Sequence, residues 1–454
     1  MACARLLAFV FCLVFGTVAK GDASSLRGEV VEKILAIDTV EKVDTHLKAI
    51  KQKIDAENKS EPMLRLASAA IPILLESRGI VWRLGEIAAH NDPLYVAAMV
   101  FLRRTKYSAY LYGKHLDVLF DYLNLPYLKK KRFANIGDLQ DFVTNTYLPL
   151  VKNFNQELAK ITNGSKTVYP LEVDARIIGG SKPLLSVENL SFARTKAELL
   201  NTLRVSQQLV AGMHAFAAYD LDALLPFANR LMKDSLINSK YVMAKNLLFA
   251  RSDFNLNLQT PKEVANILKR KEFKNLFTPR PKAEKHLAAS LKTFQASVKT
   301  HLDLLDALDD QKRQETLLFD DRKTLRRTLE ERAKVLSGKV TLISSVTGKK
   351  FTINVPKIFA GSQDLKKLFA NNFHNVPEHY EIEGKSSKDD PVFVWHYDYG
   401  MPTGWPDPTF GGVLPNAKNK NIYDLMRTLS LTPSTAVFAQ FLPVPGLPGF
   451  LTAL

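Results

Sequence analysis

The chain has 454 residues, with 62 Lys+Arg against 46 Asp+Glu for a net charge of +16, 46% apolar and 24% charged residues, and two cysteines. At about 150 residues per domain this length predicts two or three domains. The composition excludes a wholly disordered, collagen-like or low-complexity chain.

Residues 1–19 carry Arg5, an apolar stretch from Leu6 to Phe15 and the small-residue end Thr17-Val18-Ala19. This is the pattern of a signal peptide; its apolar run is well short of the roughly 20 residues of a spanning helix. Cys3 and Cys12 both lie within it. Its removal predicts a mature chain of net charge about +15 with no thiol, which excludes disulfides, thiol nucleophiles and cysteine-ligated zinc or iron–sulfur clusters. The expected destination is the secretory pathway. Asn58, Asn163 and Asn189 each open a glycosylation triplet.

Helical spacing dominates from about residue 21 to 337. In residues 26–54, Val30, Ile34, Ile37, Val40, Val43, Leu47 and Ile50 recur every three or four positions, predicting one apolar stripe on a helix or a broken helix pair. A denser apolar block follows over residues 64–128. Within it Asn91-Asp92-Pro93 reads as a helix start and Asn124-Leu125-Pro126 as a stop. Residues 163–189 break the pattern with Gly164, Pro170, Gly179, Gly180 and Pro183, predicting a long loop or small hairpin. Helical spacing resumes at Ala193. Thr278-Pro279-Arg280-Pro281 predicts a further start, with Thr278 as cap. The strongest periodic signal follows: Leu287, Leu291, Phe294, Val298, Leu302, Leu305 and Leu308, continued by Leu317, Leu318, Leu325, Leu329 and Leu336. It predicts long helices packed in an antiparallel bundle.

After Gly338 the period becomes alternating. Residues 340–345 and 351–355 flank Val346-Thr347-Gly348-Lys349, a hairpin signal. A helix over residues 363–373 and strands at 379–382 and 392–397 complete a small α+β module. The tail from Pro433 is apolar, but Pro443, Pro445 and Pro448 oppose a spanning helix. It is expected to pack on a domain surface or meet a partner. The fold expected is therefore mainly α, a helical bundle body with a small C-terminal α+β module: signal peptide 1–19, helical body 20–337 with a subdivision at 163–189, module 338–430 and apolar tail 431–454.

No catalytic signature survives inspection. Arg176-Ile177-Ile178-Gly179-Gly180 resembles a protease activation site, but no matching nucleophile motif or barrel strands accompany it. Hydrolase-elbow, zincin and nucleotide-loop motifs are missing. His374, Glu378, His379, His396 and Asp398 are the nearest to an imidazole–carboxylate cluster, and Pro377 opposes the continuous helix that would aim both early histidines at one ion. The expectation is a non-enzyme with no cofactor. Two basic foci, Arg103, Arg104 and Lys106, and Lys129, Lys130, Lys131 and Arg132, suit an anionic surface. In a secreted chain, anionic polysaccharide or lipid headgroups are the expected ligands rather than nucleic acid. Trp395, Tyr397, Tyr399 and Trp405 form an aromatic run suited to partner recognition or to the core of the module.

The signal peptide, helical body, basic balance and the block from Tyr95 to Leu123, with Lys106-Tyr107-Ser108-Ala109-Tyr110-Leu111 followed by Phe120, resemble the rhoptry-associated proteins of piroplasm parasites. The resemblance implies an antigen of an apical secretory organelle, released during host-cell invasion, with adhesion to the host cell or assembly with other secreted organelle proteins as its role. That family's cysteine set and long C-terminal repeats are not found here, marking a divergent member, and the resemblance assigns no individual site residue. The alternative is a helical lipid- or membrane-binding protein whose block at 64–128 opens around an apolar ligand. An enzyme with its site at residues 374–398 comes third.

Overall fold

The computed structural model describes residues 26–56, 61–89, 114–164, 168–174, 189–227, 230, 267–310, 322–345, 347–360, 372–373, 402–404, 407–418, 421, 425, 428–429, 431–439, 443–444 and 447–448. The protein is mainly α-helical, with short antiparallel strand pairs. It divides into two compact units that are discontinuous in sequence: Met1–Met213 with Met243–Ala250 and Lys299–Glu315, and His214–Val242 with Arg251–Val298 and Thr316–Leu454. Residues on both sides of Gly338 belong to the second unit.

In the first unit the predicted stripe is a broken helix pair, α1 (Leu26–Leu35) and α2 (Val40–Ala56). Val30, Ile34, Ile37, Val43, Leu47, Ile50 and Ile54 are all buried. Each such side chain contributes about 2 kcal/mol on leaving water, which outweighs helix propensity as the cause of the pair. Lys53 reaches Glu29 across it. Helix α3 (Pro62–Glu76) starts on a proline and buries ten of its residues, from Met63 to Leu74, on every side, as a central helix must. Pro72 lies inside it.

Helix α4 (Ile80–Ala89) follows after a sharp turn, and α5 (Lys114–Asn124) ends at the predicted stop. Helix α6 (Ile136–Phe142), capped by Asn135, whose side chain accepts from the Asp138 N–H at 2.9 Å, runs through a π turn (Val143–Tyr147) into α7 (Leu148–Thr162). Pro149 stands at the start of α7. In a regular helix its ring would strike the carbonyl four residues back; the wider π turn gives that ring room. Tyr147 on the turn sends its hydroxyl to that of Ser77.

The predicted loop or hairpin at 163–189 is a hairpin, β1 (Val168–Asp174) with β2 (Asn189–Thr195), paired from Val168↔Thr195 to Asp174↔Asn189. Helical spacing at Ala193 was misleading: that residue pairs with Pro170, and α8 (Lys196–Ala218) begins three residues later. A capping box sets its start, with Glu198 accepting from the Thr195 N–H at 2.7 Å and the Thr195 hydroxyl accepting from the Glu198 N–H at 3.2 Å. Ala197 and Leu200 pack with Leu304 and Ala307.

In the second unit a bridge between Tyr219 and Pro279 precedes α9 (Ala283–Asp310), of which Ala283–Val298 belongs to this unit and the residues from Lys299 on to the first. Thr278 does not cap this helix. Its hydroxyl donates to the Asn275 carbonyl at 2.6 Å, and the helix starts only after Lys282, whose φ is 68°. Phe227 meets Phe273 and Phe277 edge-on, with centroids 5.5 and 6.2 Å apart. Helix α10 (Arg322–Ser337) leads directly into the predicted hairpin, β3 (Lys339–Ile343) with β4 (Lys350–Asn354). Phe351, Ile353 and Val355 are buried. The Asn354 N–H donates to the Val413 carbonyl at 2.8 Å, joining the hairpin to a turn that buries Phe410, Val413 and Leu414.

Asn372–Phe373 forms β5 and pairs with β6 (Pro402–Gly404), so Phe373 ends in a strand, not the expected helix. The start of the tail packs on the second unit: Arg332 donates to the carbonyls of Pro433 and Ser434 at 2.8 and 3.3 Å, and Phe438 in the short helix α11 (Ala436–Ala439) is buried. Pro443–Val444 and Leu447–Pro448 pair as β7 and β8. Among the described residues no helix is long and apolar enough to cross a membrane.

Candidate anionic-surface interface

The second basic focus lies on the loop at residues 125–132, between α5 and α6 of the first unit. Pro126 ends α5 because it cannot extend the helix, and the chain folds back along the turn between α3 and α4. Gly79 makes that return possible. Its φ is +64°, its N–H donates to the Tyr122 carbonyl at 2.9 Å, and a Cβ there would lie 3.1 Å from both the Leu125 carbonyl oxygen and the Tyr127 Cβ.

The loop is held from beneath at three points. The Arg78 guanidinium stacks 4.1 Å from the Tyr127 ring centroid and 5.5 Å from that of Tyr122; it also pairs with Asp44, which accepts the Tyr122 hydroxyl at 2.6 Å. Lys130 pairs with Glu76. Arg83 donates through Nε to the Lys131 carbonyl at 3.0 Å, while its own carbonyl accepts from the Phe133 N–H at 3.0 Å. The Arg83 guanidinium lies 4.1 and 4.3 Å from the centroids of Phe133 and Phe142. Such stacked, partly desolvated cations contribute on the order of 1–2 kcal/mol each.

Burial, with the Asp44 bond and charge, pushes the Tyr122 phenol far up, so it remains a donor throughout the physiological range. Burial lowers the Arg83 guanidinium, opposed by Glu76, yet an arginine stays charged at neutral pH.

With Tyr127, Lys130 and Phe133 turned inward, the remaining side chains face water. Lys129, Lys131 and Arg132 are exposed, Arg132 lying 4.9 Å over the Trp82 ring. Leu125 is 47% exposed and Leu128 88%. The end of the apolar block therefore points to solvent beyond the stop at Asn124-Leu125-Pro126, because Pro126 breaks the helical period that would have turned Leu128 inward.

Of the residues expected to meet an anionic surface, the structure brings Lys129, Lys131 and Arg132 together on one outward turn and uses Lys130 as a tether. Arg103, Arg104 and Lys106 lie outside the described residues, as do Trp395, Tyr397, Tyr399 and Trp405 and the His374–Asp398 cluster. Among the described residues no group of three or more His, Cys, Asp or Glu is arranged to hold a metal. Sequence reasoning missed Gly79, Arg78 and Arg83, whose partners lie about fifty residues away. The available signal was Gly79 itself, three residues after the end of the mostly apolar helix α3.

Comparison with family models, curated proteins and solved structures gives no match.

Proposed function

We propose that this chain is a secreted, non-catalytic attachment protein that engages the anionic surface of a host cell through the loop at residues 125–132. The observation that carries the reading is the division of labour within one basic run. Lys130 is spent on Glu76, while Lys129, Lys131 and Arg132 stand exposed on a turn fixed by Arg78 and Arg83. Three cations held at one turn on a rigid base give an anionic ligand a preformed target. Secretion rests on the signal-like residues 1–19, and the place in an apical organelle rests on the resemblance to rhoptry-associated proteins, so other proteins of that organelle are proposed partners.

The test is binding of the purified full-length chain to host cells. The Lys129→Ala/Lys131→Ala/Arg132→Ala variant, whose changes are all at exposed positions, should bind at least about tenfold more weakly, each lost charge being worth roughly 1 kcal/mol near an anionic surface, while the lost stack of Arg132 on Trp82 lowers stability by no more than about 1 kcal/mol. Undiminished binding would remove the loop from the contact. The second reading, a membrane-binding protein, is favoured by the exposure of Leu125 and Leu128.

A further inference from the structure

We infer that the ligand of this loop is an anionic phospholipid bilayer, into which Leu125 and Leu128 insert while Lys129, Lys131 and Arg132 meet the headgroups. This rests on the attachment reading and names its ligand class.

Leu128 is the most exposed of the large apolar residues that stand out of the described surface, at 88%, against 62% for Ile343, 47% for Leu125 and 41% for Leu431. Leu128 stands in the turn that the Lys130 N–H closes on the Tyr127 carbonyl at 3.0 Å, and Leu125 lies three residues before it on the same loop. A leucine held in water carries a standing cost that only an apolar phase relieves. The flanking residues define that phase. Three exposed cations follow Leu128 within four positions, so the apolar tip is rimmed by positive charge. A polysaccharide would satisfy the cations and leave both leucines in water. A protein partner suits the flanking residues less well, since two of the three cations are lysines, which are depleted at protein interfaces. A bilayer with acidic headgroups satisfies both sets at once, because its headgroups lie a few ångströms above its hydrocarbon.

The base of the loop suits the role. Insertion loads the loop along its axis, and Tyr127 is clamped by Arg78, Lys130 by Glu76, and the backbone at Lys131 by Arg83. The turn therefore meets the membrane already shaped, and little ordering entropy is lost on binding. Lys129, Lys131 and Arg132 have stems long enough to lie along the interface while their charges remain hydrated.

The experiment compares three probes with the full-length chain: vesicles of phosphatidylcholine with phosphatidylserine, vesicles of phosphatidylcholine alone, and immobilised heparin. The parent should bind the mixed vesicles and bind neutral vesicles much more weakly. Leu125→Ser/Leu128→Ser should lose at least about tenfold on mixed vesicles, from the apolar area no longer buried, and keep its heparin retention. Leu128 is almost fully exposed and Leu125 about half exposed, so the double variant should lower the melting temperature by only a few degrees, and Leu128→Ser alone, with an unchanged melting temperature, should already weaken binding to mixed vesicles. A separate Leu128→Trp chain should show a blue shift of its added emission on mixed vesicles. Three results overturn the inference while sparing attachment: binding to heparin but not to vesicles, serine variants that bind vesicles as tightly as the parent, or a Leu128→Trp emission that does not move. Binding to none of the probes, nor to host cells, overturns both.

Discussion

Lys130 and Lys131 are neighbours of identical chemistry with different work. The first pairs with Glu76 and the second is exposed, with its backbone carbonyl held by Arg83. A partly exposed pair such as Lys130–Glu76 is worth at most about 1 kcal/mol, so the loop's shape depends more on Gly79. Gly79→Ala places a Cβ against backbone at a left-handed φ. It should cost about 2 kcal/mol of stability and weaken cell binding with the basic residues untouched; a melting curve and a binding assay on the same variant check both. In the second unit Asp407 is the comparable residue. Burial tends to raise its carboxyl, but the Thr409 hydroxyl and the N–H groups of Gly411 and Thr409 outweigh it and hold the group below the ordinary carboxylate range. Its contribution to stability is therefore complete above the unfolded value of about 3.9 and is lost as pH falls through the lower folded value. Asp407→Ala should cost about 1 kcal/mol at neutral pH and flatten the acid side of the stability profile, measured by denaturant unfolding against pH.

At the scale of elements, what could be read from sequence was what one period or one local signal fixes. The stripe from Val30 to Ile50 named the buried faces of α1 and α2 because a 3.6-residue repeat leaves no other face to bury. Gly348 named the β3–β4 turn, where its φ is +67° and its N–H donates to the Ser344 carbonyl at 2.9 Å. Where one residue is joined to a period it does not fit, the reading differs from the structure: Leu199 and Leu203 are four apart, but Ala193 stands six before Leu199 and belongs to β2. The Thr195-Lys196-Ala197-Glu198 capping box marked the true boundary. Glu198→Ala should lower stability by about 1 kcal/mol, and hydrogen exchange should speed up at the first turn of α8 and the end of β2 rather than across the unit. Contacts between distant positions, such as Arg78 over Tyr127, leave no local pattern. The clamp that makes the loop a site was invisible for that reason, while the cations it presents were not.

At the scale of the molecule, the net charge of +16 draws the whole chain toward an anionic surface, but a diffuse charge gives neither orientation nor a defined contact. The loop supplies both, since it joins charge to an apolar tip on a braced turn. The fold is built without cysteine beyond Cys12, and buried apolar surface of the kind seen in α1–α3 takes the place of cross-links. Whether the loop at residues 125–132 is the contact is decided most directly by a salt titration of binding to phosphatidylserine-containing vesicles. The full-length parent should be compared with Lys129→Ala/Lys131→Ala/Arg132→Ala from about 50 to about 500 mM NaCl, the range over which the Debye length falls from beyond 10 Å to only a few ångströms. The affinity should fall steeply with salt in the parent and, in the variant, be weaker with a much shallower slope if the loop is the contact. Two curves that coincide would contradict it.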